Sequence, residues 1–165
     1  MAPSQPTIAE LFEMSISLER QIQAVYLHWQ MLFASAPKAA SFWQEYAREE
    51  DFHAKLLLNL SEQLTAEQLA KPADTSIHEC AQRTQQLVGS LNKNVKTLDE
   101  ALELATRIEH SEVNSILEFL VIHFSAKEST KAMVQSQLRE HIGKLNVLTP
   151  ALIFGENYKM IKAVN

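Results

Sequence analysis

Glycine, proline and cysteine are scarce in this chain of 165 residues, which contains 3, 5 and 1 of them, respectively. Because few glycines and prolines leave few places where a helix must break, the composition favours long helices over a strand-rich fold. The single cysteine, Cys80, excludes an intrachain disulfide and a Cys-x-x-Cys metal knuckle within the chain. Acidic residues also outnumber basic residues, since the formal net charge is −5. The chain therefore lacks the basic surplus that binding to nucleic acid or to an anionic membrane requires.

Long hydrophobic runs are missing as well. The longest apolar stretch, residues 116–124, includes Glu118 and His123 and is too short to cross a bilayer. The first six residues have neither the basic region nor the apolar core of a secretory signal. We therefore expect a cytoplasmic protein without a membrane segment. Because its length suffices for one sizeable core, we expect residues 1–165 to form a single domain.

Apolar residues recur at helical spacing in four long segments, residues 7–34, 38–63, 98–124 and 127–147. A shorter amphipathic pattern covers residues 77–91, inside the connection between the second and third segments. This connection is long and the other two are short. The pattern therefore predicts an all-α fold, a four-helix bundle with one long crossover connection that contains a short helix. We expect the tail, residues 151–165, to pack on the bundle or on a partner.

Side chains of the types that bind metals interrupt the apolar columns of these helices. Glu50 and His53 form a Glu-x-x-His pair on one face of the second helix, where both can reach one ion. The other such residues are Glu19 in the first helix, Glu109 and Glu112 in the third, and His141 in the fourth. Burying an unpaired carboxylate is costly. A metal ion or a dedicated hydrogen-bond network would offset that cost, and a surface position for the pair is the remaining interpretation.

The two halves of the chain resemble each other over short stretches. The alignment pairs Glu19 with Glu109, Ile22 with Glu112, Glu50 with Leu138 and His53 with His141. Each half thus contains one glutamate-bearing helix followed by one histidine-bearing helix. Only the first half keeps a complete Glu-x-x-His.

These segments resemble the rubrerythrin branch of the ferritin-like superfamily over most of residues 7–148. The resemblance rests on Leu18-Glu19-Arg20, Tyr46-Ala-Arg-Glu-Glu50-Asp-Phe-His53-Ala, the stretch from Ala101 to Glu112, and Glu140-His141-Ile142. It implies a carboxylate-bridged di-iron centre that reacts with peroxide or oxygen, and manganese suits the same donors. The ligands that it implies are Glu19, Glu50, His53, Glu109, Glu112 and His141. Among these, Glu112 is similar to the extra iron ligand of rubrerythrins.

Two features depart from the family pattern. Leu138 stands where the fourth-helix glutamate belongs, and Glu140 lies about 200° around the helix from it. One expected ligand is therefore missing. The chain also has no rubredoxin-like Cys-x-x-Cys module, so an electron donor would be another protein. The alternatives to a peroxidase-like oxidoreductase are a metal-free four-helix bundle with a binding or assembly role, and an iron-storage cage.

Residues beside the implied ligands have two interpretations. Tyr26 lies one heptad beyond Glu19, and Tyr46 lies about one turn before Glu50. Each tyrosine is either a hydrogen-bond partner of a ligand residue or an ordinary core aromatic. We expect Glu49 at the surface or behind a ligand. We also expect a homodimer, formed through the insert at residues 77–91 and the tail.

Overall fold

The computed structural model describes residues 5–91, 94–147 and 149–164, which form helices and turns and no strand. The predicted all-helical class is therefore confirmed. The helices are α1 (Ile8–Leu32), α2 (Pro37–Glu62), α3 (Ala66–Leu69), α4 (Thr75–Ser90), α5 (Leu98–Glu109), α6 (Val113–Phe124), α7 (Glu128–Val147) and α8 (Pro150–Phe154), followed by a 3-10 turn at Tyr158–Met160.

Local chemistry explains where the main helices begin. Thr7 and Glu10 form a capping box at α1, in which each side chain bonds the other's backbone N–H. Pro37 is the first residue of α2, where its missing N–H costs no hydrogen bond. Thr97 and Glu100 form a second capping box at α5. These signals place the starts of α1, α2 and α5 close to the predicted ones.

Side-chain contacts show that α1 and α2 run in opposite directions. Glu19 approaches His53, whereas Tyr26, further along α1, stacks on Trp43, which lies earlier in α2. The two helices pack along most of their length. They form the scaffold against which the other elements lie.

The remaining long helices also have directions that contacts define. The contacts are Phe12–Phe124 and Tyr26–Glu109 between α1 and α5–α6, and Glu118–Gln135 and Glu109–His141 between α5–α6 and α7. In each pair the residue numbers rise in opposite directions. It follows that α1 and α7 run one way, and that α2 and α5–α6 run the other way.

The connection between α2 and α5 must return the chain to its starting end, because these two helices are parallel. It contains the short α3 and the longer α4, which packs against α1 and α6. Asp74 caps α4, and Ala81, Thr84 and Val88 are its buried residues. The predicted crossover helix is therefore present. The sequence pattern had not indicated α3.

The predicted third helix, residues 98–124, is interrupted, and that prediction of one continuous helix is wrong. The interruption lies at residues 110–112, between α5 and α6. Here the Ser111 N–H bonds the carbonyl of Ile108, three residues back. The Asn114 side-chain amide donates to the Glu109 carbonyl at 2.9 Å. A side chain thus satisfies a carbonyl that a continuous helix would have paired with a backbone N–H.

The tail packs on the first two helices. Phe154 of α8 is buried and contacts the rings of Phe42 and Trp43. The backbone N–H of Val164 donates to the carbonyl of Leu32 at 2.7 Å. Among the described residues, no helix is both long enough and apolar enough to span a membrane.

Candidate metal centre

The structure brings five of the six predicted ligand residues together between the helices. Each of them is at most 3% exposed. They come from four helices: Glu19 from α1, Glu50 and His53 from α2, Glu109 from α5 and His141 from α7. They form two groups that share Glu50, and within each group the ligand atoms lie within 4.8 Å of one another.

The first group consists of Glu19, Glu50 and His53. Nδ1 of His53 lies 3.2 Å from Oε2 of Glu50 and 3.7 Å from Oε2 of Glu19. Oε2 of Glu19 is buried and has no hydrogen-bond partner among the described residues. One imidazole nitrogen thus faces two carboxylates, and one carboxylate oxygen is unsatisfied.

The second group consists of Glu50, Glu109 and His141. Nε2 of His141 lies 3.0 Å from Oε2 of Glu109 and 4.0 Å from Oε1 of Glu50. This nitrogen is buried, and no neighbour within the described part of the chain is oriented to form a hydrogen bond with it. The two oxygens of Glu50 therefore face a different histidine each, which is the arrangement of a bridging carboxylate.

Glu49 holds His141 from the side away from the group. Its carboxylate bonds Nδ1 of His141, and its side chain is 30% exposed. A proton on Nδ1 leaves Nε2 free as a metal ligand, so this contact selects the tautomer that a metal site needs. The sequence placed Glu49 at the surface or behind a ligand, and the structure shows the second of these alternatives.

Glu109 is held by two neighbouring side chains. The hydroxyl of Tyr26 donates to Oε1 of Glu109, and the amide of Asn114 donates to Oε2 at 3.3 Å. Tyr26 thus bonds a glutamate that its heptad position beside Glu19 did not indicate. Asn114 was missed altogether, because a polar residue in the middle of a helical pattern carries no signal for a helix break.

Tyr46 contacts His141 in two ways. The centroids of its ring and of the imidazole lie 4.2 Å apart, and its hydroxyl lies 3.4 Å from the backbone carbonyl of His141. The tyrosine therefore packs beside a ligand residue without bonding the imidazole nitrogens.

Glu112 does not join the cluster, contrary to the expectation from the family resemblance. Its side chain is 45% exposed and pairs with Arg83 of α4 at 3.0 Å. It lies in the interruption between α5 and α6, which turns it away from the face of Glu109. Leu138, at the position of the expected fourth-helix glutamate, is 6% exposed and belongs to the apolar core.

Burial and neighbouring charges shift the protonation of the clustered residues. Burial raises the pKa of Glu50, and the nearby Glu19 carboxylate raises it further. For Glu109 burial acts in the same sense, but the neighbouring His141 imidazole and the hydrogen bonds from Tyr26 and Asn114 outweigh it and lower the pKa. Burial lowers the pKa of His141, whereas Glu109 and Glu49 raise it to about 10.

The pKa of His53 follows the same rule. Burial lowers it, but the nearby carboxylates of Glu19 and Glu50 outweigh burial and raise it well above the ordinary value. The buried carboxylates therefore favour the protonated form of both histidines in the metal-free protein.

The donor set fits a transition-metal ion. Carboxylate oxygens with imidazole nitrogens suit iron and manganese. Two ligand atoms, Oε2 of Glu19 and Nε2 of His141, are buried and unsatisfied, and they belong to different groups. Among the described residues, the ion pairs of Glu19, Glu50 and Glu109 come only from the two histidines. No lysine or arginine of this part of the chain takes the place of a metal.

Comparisons of the chain with protein-family models, with curated proteins and with solved structures found no significant match. The structure thus defines the chain as a helical protein whose buried Glu/His cluster can hold a metal ion.

Proposed function

We propose that the chain is a ferritin-like metalloprotein of the rubrerythrin type, which binds iron or manganese in the cluster and reduces peroxide or oxygen. The observation that carries this proposal is the convergence of five buried ligand residues from four helices. The helix directions support it, because α2 and α5–α6 are parallel and joined by a long crossover. One long crossover is the connection typical of ferritin-like bundles.

Each residue has a role in this proposal. Glu50 would be the carboxylate shared by both groups, His53 and His141 would supply the imidazole nitrogens, and Glu19 and Glu109 would each complete one group. Bound iron would supply electrons for the reduction of peroxide or oxygen. The helices exclude bulk water from the cluster, since each of the five residues is at most 3% exposed.

The two ligand groups are not equivalent. In the second group, Glu49 bonds His141, and Tyr26 and Asn114 bond Glu109. The first group has no comparable contact to Glu19 among the described residues. Because such outer contacts fix ligands in place, the second group should bind the first metal ion. Leu138 and the outward position of Glu112 leave fewer ligands for a second ion.

A metal-free bundle with a binding or assembly role is the second candidate. The observation that favours it is that both histidines already lie within ion-pair distance of the buried carboxylates. In this alternative the cluster is a polar network that specifies how the helices pack.

Two partners complete the proposal. Reducing electrons would come from another protein, because the chain contains one cysteine and therefore no Cys-x-x-Cys. A homodimer is supported by apolar side chains on the tail, where Leu152 is 69% and Met160 is 80% exposed. Sedimentation velocity would measure this state, and a large particle would instead favour an iron-storage cage.

Metal content per chain tests the proposed function. The protein is produced with iron and manganese supplied and without chelator, and elemental analysis gives the metal bound. The Glu50→Ala/His53→Ala variant removes the shared bridge and one imidazole. The matched control, Glu13→Ala/His28→Ala, changes the same residue types at exposed positions of α1.

We expect one to two metal ions per chain in the wild type and in the control, and none in the Glu50→Ala/His53→Ala variant. About two irons would mean a complete dinuclear centre, and about one would mean a half-site. A folded wild type without metal would contradict the proposal and leave the metal-free bundle.

A further inference from the structure

An open cavity of about 580 Å³ lies where α2 meets α7 and α8. Its wall on α2 includes Lys38, Phe42 and Tyr46, which recur every four residues and therefore share one face of the helix. Lys144 of α7 and Ile153 of α8 also line it. This volume lies within the range of small-molecule binding sites, roughly 300–1,000 Å³.

Two aromatic rings form the apolar part of this cavity. The ring centroids of Phe42 and Tyr46 lie 4.7 Å apart, with an angle of 36° between the planes. Phe42 also contacts the rings of Trp43 and Phe154, at 4.8 and 5.4 Å, so its position is fixed by packing. It is nevertheless only half-buried. A rigid aromatic surface thus remains open to a planar molecule that stacks on it.

The polar part of the cavity contains two lysines and one glutamate. Lys144 bonds Glu45 at 2.9 Å and lies 3.9 Å from Glu140, so its charge is already paired. Lys38 has no ion pair among the described residues. Because one ammonium group is left without a counterion, the lining favours a ligand that carries a negative charge.

A larger groove of about 800 Å³, between the start of α1 and α4, has different chemistry. It is lined by Glu10 and Glu13, and no lysine, phenylalanine or tyrosine of the described residues belongs to it. Carboxylates repel an anion, and this groove offers no ring on which an arene could stack. An aromatic anion therefore distinguishes the two cavities.

We propose that the cavity between α2, α7 and α8 is a binding site for a small aromatic carboxylate. The ligand ring stacks on Phe42 and Tyr46, and its carboxylate pairs with Lys38. The site contains none of the five clustered residues, so this inference goes beyond the proposed function and does not depend on it. Tyr46 connects the two places, because its ring centroid lies 4.2 Å from that of His141.

Isothermal titration calorimetry of the full-length chain, with and without bound metal, tests the inference. Naphthoate carries rings and charge, naphthamide carries the rings alone, and acetate carries the charge alone. Lys38→Gln removes the unpaired ammonium group, and Ser41→Trp fills the cavity with a large side chain. Lys71→Gln, at an exposed position outside the cavity, is the matched control. Circular dichroism verifies the fold of each variant.

We expect naphthoate to bind the wild type and Lys71→Gln equally, and not to bind Ser41→Trp. Binding to Lys38→Gln should be about fivefold weaker, which is the upper end of the effect of an exposed ion pair. Naphthamide should also bind about fivefold more weakly than naphthoate, and acetate should not bind detectably. Nuclear magnetic resonance should place the largest amide shifts at Ser41, Phe42 and Ile153.

Three outcomes would overturn the inference: no binding of naphthoate to the folded wild type, equal binding to Ser41→Trp, or equal binding of naphthamide. A dimer of the wild type that Ser41→Trp abolishes, without probe binding, would assign the cavity to a second copy of the chain and overturn it as well. Naphthoate binding to a chain that takes up no metal would support the inference and contradict the proposed function.

Discussion

At the scale of single residues, Glu50 is the side chain on which cation binding by the cluster most depends. It belongs to both ligand groups, and its two oxygens face two different histidines. Burial and the neighbouring Glu19 raise its pKa, so its charge is unfavourable in the metal-free protein. The residue is therefore costly for folding and useful for binding a cation.

Replacement of this carboxylate by an amide separates metal binding from stability. We expect Glu50→Gln to abolish metal binding and to leave the free energy of unfolding of the metal-free protein unchanged or higher, because a buried charge disappears. Elemental analysis and urea denaturation in chelator measure the two effects, and Glu13→Gln at an exposed position is the control. A loss of about 3 kcal/mol or more in the metal-free protein would instead indicate a structural polar network.

Leu138 allows an experiment that adds a carboxylate to the cluster instead of removing one. It is 6% exposed and lies one turn before His141, on the same face of α7. We expect Leu138→Glu to raise the number of metal ions per chain, because it restores a carboxylate beside the second histidine. In chelator the same variant should be less stable, since it buries another charge. Unchanged metal content would show that position 138 does not face the cluster.

Proton competition gives the cluster a defined pH dependence. Carboxylates raise the pKa of His53 well above its ordinary value and that of His141 to about 10. A metal must displace these protons, so affinity should fall by about tenfold per pH unit for each histidine displaced as the pH is lowered from about 8 to about 6. Competition titrations with a chelator of known affinity measure this slope. A flat profile would mean that the histidines are not ligands.

Protonation of His141 opposes metal binding, but it stabilises the fold of the metal-free protein. The folded-state pKa of His141 lies above its value in the unfolded chain, so protonation stabilises the fold. That contribution is fully present below the unfolded value. It is lost as the pH rises through about 10.

At the scale of elements, the interruption between α5 and α6 decides which carboxylates meet. Glu109 ends α5 and faces the cluster, whereas Glu112 lies in the interruption and pairs with Arg83 of the crossover helix. Asn114 holds the break, since its amide bonds both the backbone carbonyl and Oε2 of Glu109. The shape of one helix end thus orients a predicted ligand residue.

Loss of the Asn114 amide should weaken metal binding without removing any ligand. We expect Asn114→Ala to lower metal affinity by about 10-fold or more, which is the usual effect of losing a contact behind a ligand. The control is Asn146→Ala at an exposed position near the end of α7. Isothermal titration with Fe(II) or Mn(II) under anaerobic conditions measures both variants, and equal affinities would show that Asn114 only stabilises the helix break.

The helices themselves follow from the sequence to a large extent. Apolar spacing locates α1, α2, α4 and α7, because helix formation there depends on local signals. The break at residues 110–112 does not follow, since apolar spacing continues through it and the bond from the Asn114 side chain to the Glu109 carbonyl leaves no signal in that spacing. The prediction for Glu112 depended on an unbroken helix and therefore missed its position beside Arg83.

The residues of the cluster were also only partly predictable from the sequence. Glu19, Glu50 and His53 could be found from sequence because polar side chains in apolar columns must meet a partner in the core. Glu49 and Asn114 could not, because their contacts depend on how α7 lies against α2 and on where α5 ends. Sequence periodicity identifies buried polar residues, and it does not identify the side chains that orient them.

At the scale of the whole molecule, the proposed metal site lies between four helices, and a bound ion would connect them. Its five ligand residues belong to α1, α2, α5 and α7, so an ion bound there connects helices that run in both directions. The unfolded chain cannot offer this arrangement. Metal binding should therefore act on global unfolding and not only on local order.

Thermal unfolding measures this coupling. At free metal about 100-fold above the dissociation constant, binding to the folded state alone contributes about 2.7 kcal/mol. For a chain of this size the midpoint of unfolding should rise by roughly 5–10 °C. Glu50→Gln should show no rise, because it removes the residue that both groups share. A similar rise in wild type and variant would place the metal at another site, and the buried cluster would then be a polar network that holds the four helices in register.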